Sequence, residues 1–241
     1  MITSHRAFSA GGLRRKGRSP AFVRGDRAHL GLANGTGRDT LPAMSDKAPP
    51  RTVEGTSFLE GKLLIALPGM TDPRFERCVI FMCAHSLDSG AMGICINRPI
   101  EGLTFRELAD KLDIPSGPAT PDFPILYGGP VDTGRGFVLH SSDYEGEEST
   151  LPISEGVSLT ATLDILRAIA TGTGPRQAVF ALGYAGWREG QIEEEICANA
   201  WIHCDADTDI LFGESSQTKW VAALNKLGID LSGLTANAGR A

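Results

Sequence analysis

The chain has 241 residues, 41% hydrophobic and 22% charged, a balance typical of a soluble globular protein with one compact domain. Residues 1–43 contain 8 lysines and arginines against 2 acids, whereas residues 44–241 contain 15 against 27. An acidic body repels phosphate backbones, which disfavours direct nucleic-acid binding by the body. Because no apolar stretch approaches the ~20 residues that span a bilayer, we expect a cytoplasmic protein with no membrane partner.

The N-terminal segment differs in composition from the rest of the chain. Residues 1–56 are rich in Gly, Arg, Ser and Pro and show no helical or strand periodicity. This predicts a disordered basic extension over 1–56, followed by a folded domain over 57–241. Met44 begins a short polar stretch typical of a protein N-terminus, so Met44 is a candidate native start.

Strand and helix patterns alternate irregularly after Gly61. This irregularity favours a mixed sheet with helices packed outside over a strictly alternating parallel sheet. The expected elements, in chain order, are strands 62–67, 78–84 and 91–96; a helix from 105; strands 124–127, 136–140 and 157–160; a helix from 163 to 172; strand 177–182; a helix 188–199; strands 200–204 and 208–212; and a last helix from about 217.

The helix after residue 104 has the clearest start. Thr104 is placed as its N-cap, and Glu107 follows three residues later to complete a capping box. Phe105, Leu108 and Leu112 are expected to form its buried face.

The run from Gly183 to Gln191 reads as a glycine-rich turn between a strand and a helix. Helical spacing would place Trp187, Gln191 and Glu195 on one stripe that could line a pocket. The exposed amides of the helix start could bind an anion; equally, the glycines could serve close packing alone, with Trp187 in the core. The run lacks both a Ser or Cys nucleophile and a nucleotide-binding motif.

Two further polar positions follow strands. Arg98, after Asn97, could present its guanidinium to an anion or could pair with a structural carboxylate. His140 leaves a strand near a glycine-rich loop and is the best candidate for a general base, although such histidines are often structural.

The five cysteines lie in apolar patterns without C-x-x-C spacing and are expected to be reduced core thiols. The Cys and His positions, including Cys83 with His85, do not match known zinc spacings. We therefore expect no metal and no cofactor.

Several motifs occur together in a recognisable order. They are Gly-Ala-Met-Gly-Ile-Cys-Ile-Asn-Arg-Pro at 90–99, Tyr-Gly-Gly-Pro-Val at 127–131, Arg-Gly-Phe-Val-Leu-His at 135–140, the Gly183 to Gln191 run, and Asn-Ala-Trp at 199–201. Over residues 57–241 the chain closely resembles the AlgH/YqgE family of bacterial proteins. The resemblance implies an α/β (α+β) domain with a strongly bent, bifurcated or pseudo-barrel sheet. Family members are often labelled transcriptional regulators, but the resemblance implies no established activity and no catalytic residue.

The sequence supports three functional hypotheses. The first is a non-catalytic cytoplasmic protein with a regulatory role that binds a small molecule or a protein partner. The second is an enzyme acting on a small anionic metabolite, with His140 as acid or base and Arg98 as anion anchor. The third, DNA regulation, would need the basic arm or a local basic patch, since no helix-turn-helix is visible. The candidate ligand-binding residues are Asn97, Arg98, Gly129, Pro130, His140, Tyr184, Trp187 and Gln191.

Overall fold

The computed structural model describes residues 59–146, 150–213 and 215–229. The predicted basic extension over 1–56 and the candidate start at Met44 lie outside the described residues. The strands are β1 Lys62–Ala66, β2 Val79–Ser86, β3 Gly90–Cys95, β4 Pro99–Thr104, β5 Pro124–Tyr127, β6 Val131–Ser141, β7 Thr150–Ser154, β8 Val157–Thr160, β9 Ala178–Trp187 and β10 Trp201–Asp205. The helices are α1 Phe105–Lys111, α2 Leu163–Thr171, α3 Gln191–Cys197 and α4 Lys219–Lys226, with a π-helix over Asp209–Gly213.

The strands form one curled sheet in the order β10-β1-β2-β3-β9-β6-β8-β7. Each neighbouring pair along this path is antiparallel. Off the path, β5 pairs in parallel with β9 and antiparallel with β4. The predicted mixed, strongly bent sheet is therefore confirmed.

The sheet divides at Gly183, in the middle of β9. β9 pairs with β5 at residues 181–182 and with β6 at residues 178–182 and again at Tyr184, whereas residues 185–187 pair with β3. Gly183 has φ +72°, and a Cβ on it would lie 2.6 Å from the Gly129 carbonyl oxygen. Only glycine combines this left-handed backbone with such a close approach of two chains.

The core has three apolar clusters. The concave face of the curled sheet packs around Leu63, Phe81 and Phe137, and α4 and the π-helix cover it with Trp220 and Leu211. On the convex side, α3 packs over the β1–β3 half, and α1 and α2 pack over the β5, β6 and β9 half. Three helices thus lie outside the sheet as predicted, whereas α4 packs on its concave side.

The capping box of α1 is confirmed. The Glu107 backbone N–H donates to Thr104 Oγ1 at 3.4 Å, and the Thr104 N–H donates to Glu107 Oε2 at 2.9 Å. Phe105 and Ala109 are its buried residues, while Leu108 and Leu112 are half-buried.

Two local predictions were wrong. The expected turn at Gly183 is strand, because β9 continues to Trp187, and α3 begins only at Gln191. The expected strand over 208–212 is the π-helix, whose Ile210 and Leu211 carbonyls accept from Lys219 Nζ at 2.5 and 2.8 Å. Since Lys219 comes from the following helix, the local pattern could not reveal this contact.

The cysteine prediction was also wrong for one pair. Cys78 and Cys95 are joined in a disulfide, while Cys83 and Cys204 are buried thiols and Cys197 is exposed. The pairing of β2 with β3 brings the two sulfurs together, since Cys95 lies opposite Ile80.

Among the described residues, every helix is too short or too polar to cross a membrane.

Candidate functional site

A groove of about 680 Å³ opens where β3 ends and β4 begins. Three stretches of chain that are distant in sequence surround it: the loop before β2, the β3–β4 junction with the end of β5, and the segment that leads into α4. Its lining residues are Glu76, Arg77, Asn97, Arg98, Pro99, Tyr127, Ser216, Gln217, Trp220 and Val221. A volume of this size suits a small-molecule ligand.

Asn97 and Arg98 build one side of the groove by anchoring the loop before β2. Asn97 Oδ1 accepts from the Val79 N–H at 2.8 Å, and its Nδ2 donates to the Arg77 carbonyl at 2.8 Å. Arg98 Nη2 donates to the carbonyls of Glu76 at 2.7 Å and Pro73 at 3.2 Å. The sequence suggested a structural carboxylate as a partner for Arg98, but its hydrogen-bond acceptors are backbone oxygens.

Arg77 and Trp220 form the opposite side of the groove. The Arg77 guanidinium carbon lies 5.5 Å from the centroid of the Trp220 ring, within cation–π range. Trp220 Nε1 donates to the Ala66 carbonyl at 2.7 Å, which fixes the ring under the arginine. Arg77 itself has φ +52°, an uncommon conformation for a residue other than glycine.

Tyr127 links the groove to a second pair of charges. Its N–H donates to the Arg98 carbonyl at 2.7 Å. Burial raises the pKa of its hydroxyl, against the smaller opposing effect of Arg74 and Arg98, so the hydroxyl remains a donor at neutral pH. The hydrogen bond from Arg74 lowers the pKa of Asp72, which stays ionised in a two-pronged pair with that arginine.

Gly129, Pro130 and Tyr184 lie where β5 and β6 cross β9. Gly129 is buried against the backbone of Tyr184, and a Cβ on it would overlap the Tyr184 carbonyl carbon. The half-buried Tyr184 ring packs edge-on against Phe137, with centroids 5.8 Å apart, and burial raises the pKa of its hydroxyl. This cluster supports the division of the sheet.

His140 is fully buried. Its Nδ1 lies 2.9 Å from the Ser141 carbonyl, so Nδ1 carries the proton, and Nε2 accepts from Thr160 Oγ1 at 2.9 Å. The Thr160 hydroxyl lies 2.9 Å from that of Thr150 on β7. Burial lowers the pKa of His140, which favours the neutral ring.

Trp187 and Gln191 converge on Glu195, as the expected stripe predicts, although Trp187 lies on a strand. Glu195 Oε2 accepts from the indole nitrogens of Trp187 at 3.0 Å and Trp201 at 2.8 Å. Its Oε1 accepts from Gln191 Nε2 at 2.8 Å. One carboxylate therefore fastens α3 to two strands.

The eight predicted residues thus occupy four places rather than one. Asn97 and Arg98 line the groove. His140 lies far from Tyr184, because His140 pairs with Ala178 on β9 and Ala178 is six residues, or ~20 Å, from Tyr184 along that strand. Sequence reasoning missed Glu76, Arg77 and Trp220 as site residues. The one sequence signal that pointed to the groove was Tyr127, which begins the Tyr-Gly-Gly-Pro-Val motif. Nothing in the local sequence marks the loop before β2 as part of a binding site.

Within ranges 59–146, 150–213 and 215–229, no three His, Cys, Asp or Glu side chains converge as a metal site would require. His85, considered above with Cys83, instead accepts from the Leu59 N–H at Nδ1 and contacts Glu193 Oε1 through Nε2 at 2.7 Å.

A curled α/β sheet divided at a glycine in its central strand defines the class of fold. A family model described as DUF179, AlgH-like, matches residues 63–232, so the chain belongs to the AlgH-like family. It is 54% identical over 210 residues to a UPF0301 protein of Afipia carboxidovorans, a match that covers 84% of this chain and 100% of that protein. A UPF0301 protein of Rhodopseudomonas palustris is 54% identical over 196 residues, covering 78% of this chain and 89% of that protein.

Solved structures agree with the fold. The solution structure of the AlgH protein from Pseudomonas aeruginosa superposes with a TM-score of 0.63 and 42% identity, covering 79% of this chain and 100% of that chain. A crystal structure of a Corynebacterium diphtheriae protein shares the fold, with a TM-score of 0.56 and 17% identity over 69% of this chain and 86% of that chain.

Proposed function

We propose that this protein is a non-catalytic cytoplasmic binding protein with a regulatory role, and that the groove at the β3–β4 junction holds a small anionic molecule. The observation that supports this most directly is the presence of two guanidinium groups, Arg77 and Arg98, in one groove with an aromatic wall. Guanidinium groups recognise carboxylates and phosphates through paired hydrogen bonds.

In this proposal Arg98 contacts the ligand, and Asn97 positions the loop that carries Arg77. A ligand-binding role for Gly129, Pro130, His140, Tyr184, Trp187 and Gln191 stays a prediction. Binding is favoured over catalysis because His140, the candidate acid or base, is fully buried with both ring nitrogens engaged.

A regulatory role would follow from the position of the groove. Trp220 and Val221 belong to α4, whereas Arg77 belongs to the loop before β2. A bound ligand would contact both segments and so change a surface that a protein partner could recognise.

The proposal is tested by titrating phenylacetate, a simple carboxylate with an apolar body, into ¹⁵N-labelled protein and following the amide resonances. We expect saturable shifts at Arg77, Arg98 and Gln217 at millimolar concentrations. Arg77→Gln should weaken binding about tenfold or more, since a charge-assisted hydrogen bond contributes ~1.5 kcal/mol or more.

Arg167→Gln is the matched control because it makes the same charge change at an exposed position on α2. Its affinity for phenylacetate should equal that of the unaltered protein. Absence of saturable shifts with both phenylacetate and inorganic phosphate would refute the proposed binding of anions.

A further inference from the structure

The charged side chains of the groove do not neutralise one another. Glu76, Arg77 and Arg98 all line it, yet no ion pair among the described residues joins Glu76 to either arginine. The hydrogen bond between Glu76 and Arg98 uses the backbone carbonyl of Glu76, which leaves its carboxylate out of that contact. In the described part of the chain, two arginines and one glutamate therefore line the groove without an ion pair among them.

The remaining lining decides what else a ligand must carry. Val221 is 40% exposed, and Pro99, Tyr127 and Trp220 add apolar surface beside it. The Asn97 amide is engaged at both ends with backbone groups, and the Trp220 indole N–H is engaged with Ala66. These two residues thus contribute shape, and recognition of polar groups depends on the arginines, Glu76 and the Tyr127 hydroxyl.

We infer that the groove recognises a free α-amino acid with an apolar side chain, an inference that rests on the proposed function. The ligand carboxylate would pair with the guanidinium groups of Arg77 and Arg98. Its ammonium group would pair with the Glu76 carboxylate, and its side chain would lie against Val221 and Pro99. A simple anion meets only the first of these requirements, because it leaves the Glu76 carboxylate facing its own charge.

The inference is tested with four probes that share a phenyl ring: L-phenylalanine, N-acetyl-L-phenylalanine, L-phenylalaninamide and phenylacetate. Dissociation constants come from the same amide shifts in the full chain. We expect L-phenylalanine to bind about tenfold or more tightly than the N-acetyl compound, which lacks the ammonium group, and than the amide, which lacks the carboxylate.

Glu76→Gln separates the ammonium contact from the rest of the groove. Because Glu76 anchors the loop through its backbone oxygen, this substitution leaves the anchor to Arg98 in place. We expect it to weaken L-phenylalanine about fivefold or more and to leave phenylacetate unchanged or tighter. Glu101→Gln, at an exposed position on β4 outside the groove lining, is the matched control and should change neither affinity.

The outcomes distinguish this inference from the proposal beneath it. If N-acetyl-L-phenylalanine and phenylacetate bind as tightly as L-phenylalanine, and Glu76→Gln changes nothing, the groove binds anions and the amino-acid inference is wrong. If none of the four probes and no phosphate binds, both are wrong.

Discussion

Glu195 carries an unusual share of the contacts that hold α3 on the sheet. Its two oxygens accept three N–H bonds, from Trp187, Trp201 and Gln191. Glu195→Gln removes the charge and leaves a single acceptor oxygen for these donors. We expect the free energy of unfolding to fall by about 2 kcal/mol, as hydrogen bonds to charged groups contribute ~1.5–3 kcal/mol each. Urea denaturation followed by tryptophan fluorescence measures this.

Glu194→Gln is the control for that substitution because Glu194 is exposed and adjacent. It should change the free energy of unfolding by less than about 0.5 kcal/mol. Equal effects at positions 194 and 195 would show that the carboxylate contacts are energetically unimportant.

His140 should make stability depend on pH. Burial lowers its pKa in the folded state below the ordinary value of 6.5. As pH falls through 6.5, the unfolded chain takes up a proton first, so stability is fully present above this pH and declines towards the lowered folded pKa. We expect the decline to approach about 1.4 kcal/mol per pH unit at most.

Urea denaturation at about pH 7.5 and about pH 5.5 tests this, with His140→Gln expected to flatten the pH dependence. His203→Gln, at a half-buried position on β10, is the control and should keep the decline due to His140. A slope that persists in His140→Gln would assign it to another group.

At the residue scale, the sequence predicted contacts better than it predicted roles. Helical spacing indicated that Trp187, Gln191 and Glu195 lie together, and they do, although Trp187 reaches Glu195 from a strand. The role of Arg98 could not be foreseen, because its acceptors are backbone oxygens of a loop more than twenty residues earlier.

At the scale of elements, β9 depends on a glycine at the point where the sheet divides. Gly183→Ala would impose a side chain on a left-handed backbone and place its Cβ 2.6 Å from the Gly129 carbonyl oxygen. We expect a loss of about 3 kcal/mol or more in the free energy of unfolding, or failure to fold, measured by thermal and urea denaturation.

Gly102 on β4 provides a matched control. Its φ is +67°, close to that of Gly183, but a Cβ there would have no neighbour within 4 Å. Gly102→Ala should therefore lower the free energy of unfolding only by the energy of a left-handed backbone at alanine, about 1–2 kcal/mol. Similar losses at both glycines would contradict a role for the close chain crossing.

The elements that sequence reasoning recovered are those with a strong local apolar pattern, such as β2, with its buried run from Val79 to Cys83. It missed β4 and β7, which contain no fully buried residue and include Pro99 and Pro152, residues that ordinarily argue against a strand. The π-helix was predicted as a strand because its apolar residues resemble a strand pattern, while its backbone carbonyls are stabilised by Lys219 from α4, a contact that the local sequence does not show.

At the scale of the whole molecule, the groove could not be assembled from the sequence. Its sides come from three segments whose proximity results from the curl of the sheet and from α4 packing on the concave face. The resemblance to a known family predicted the bent sheet, but it did not indicate which loop lies against which strand. Arg77 and Trp220, which lie 5.5 Å apart in the fold, are 143 positions apart in the chain.

The shared strand also limits how the chain can vary in length. The first part of β9 pairs with β5 and β6, up to Tyr184, and residues 185–187 pair with β3. One inserted or deleted residue within the strand would therefore turn the side chains of one part to the opposite face of the sheet. The stretch between α1 and β5 has no such double constraint. Homologous chains of different length should therefore carry their extra residues in connections like this one. They should keep the ten-residue length of β9, from Ala178, the partner of His140, to Trp187, the partner of Ala91.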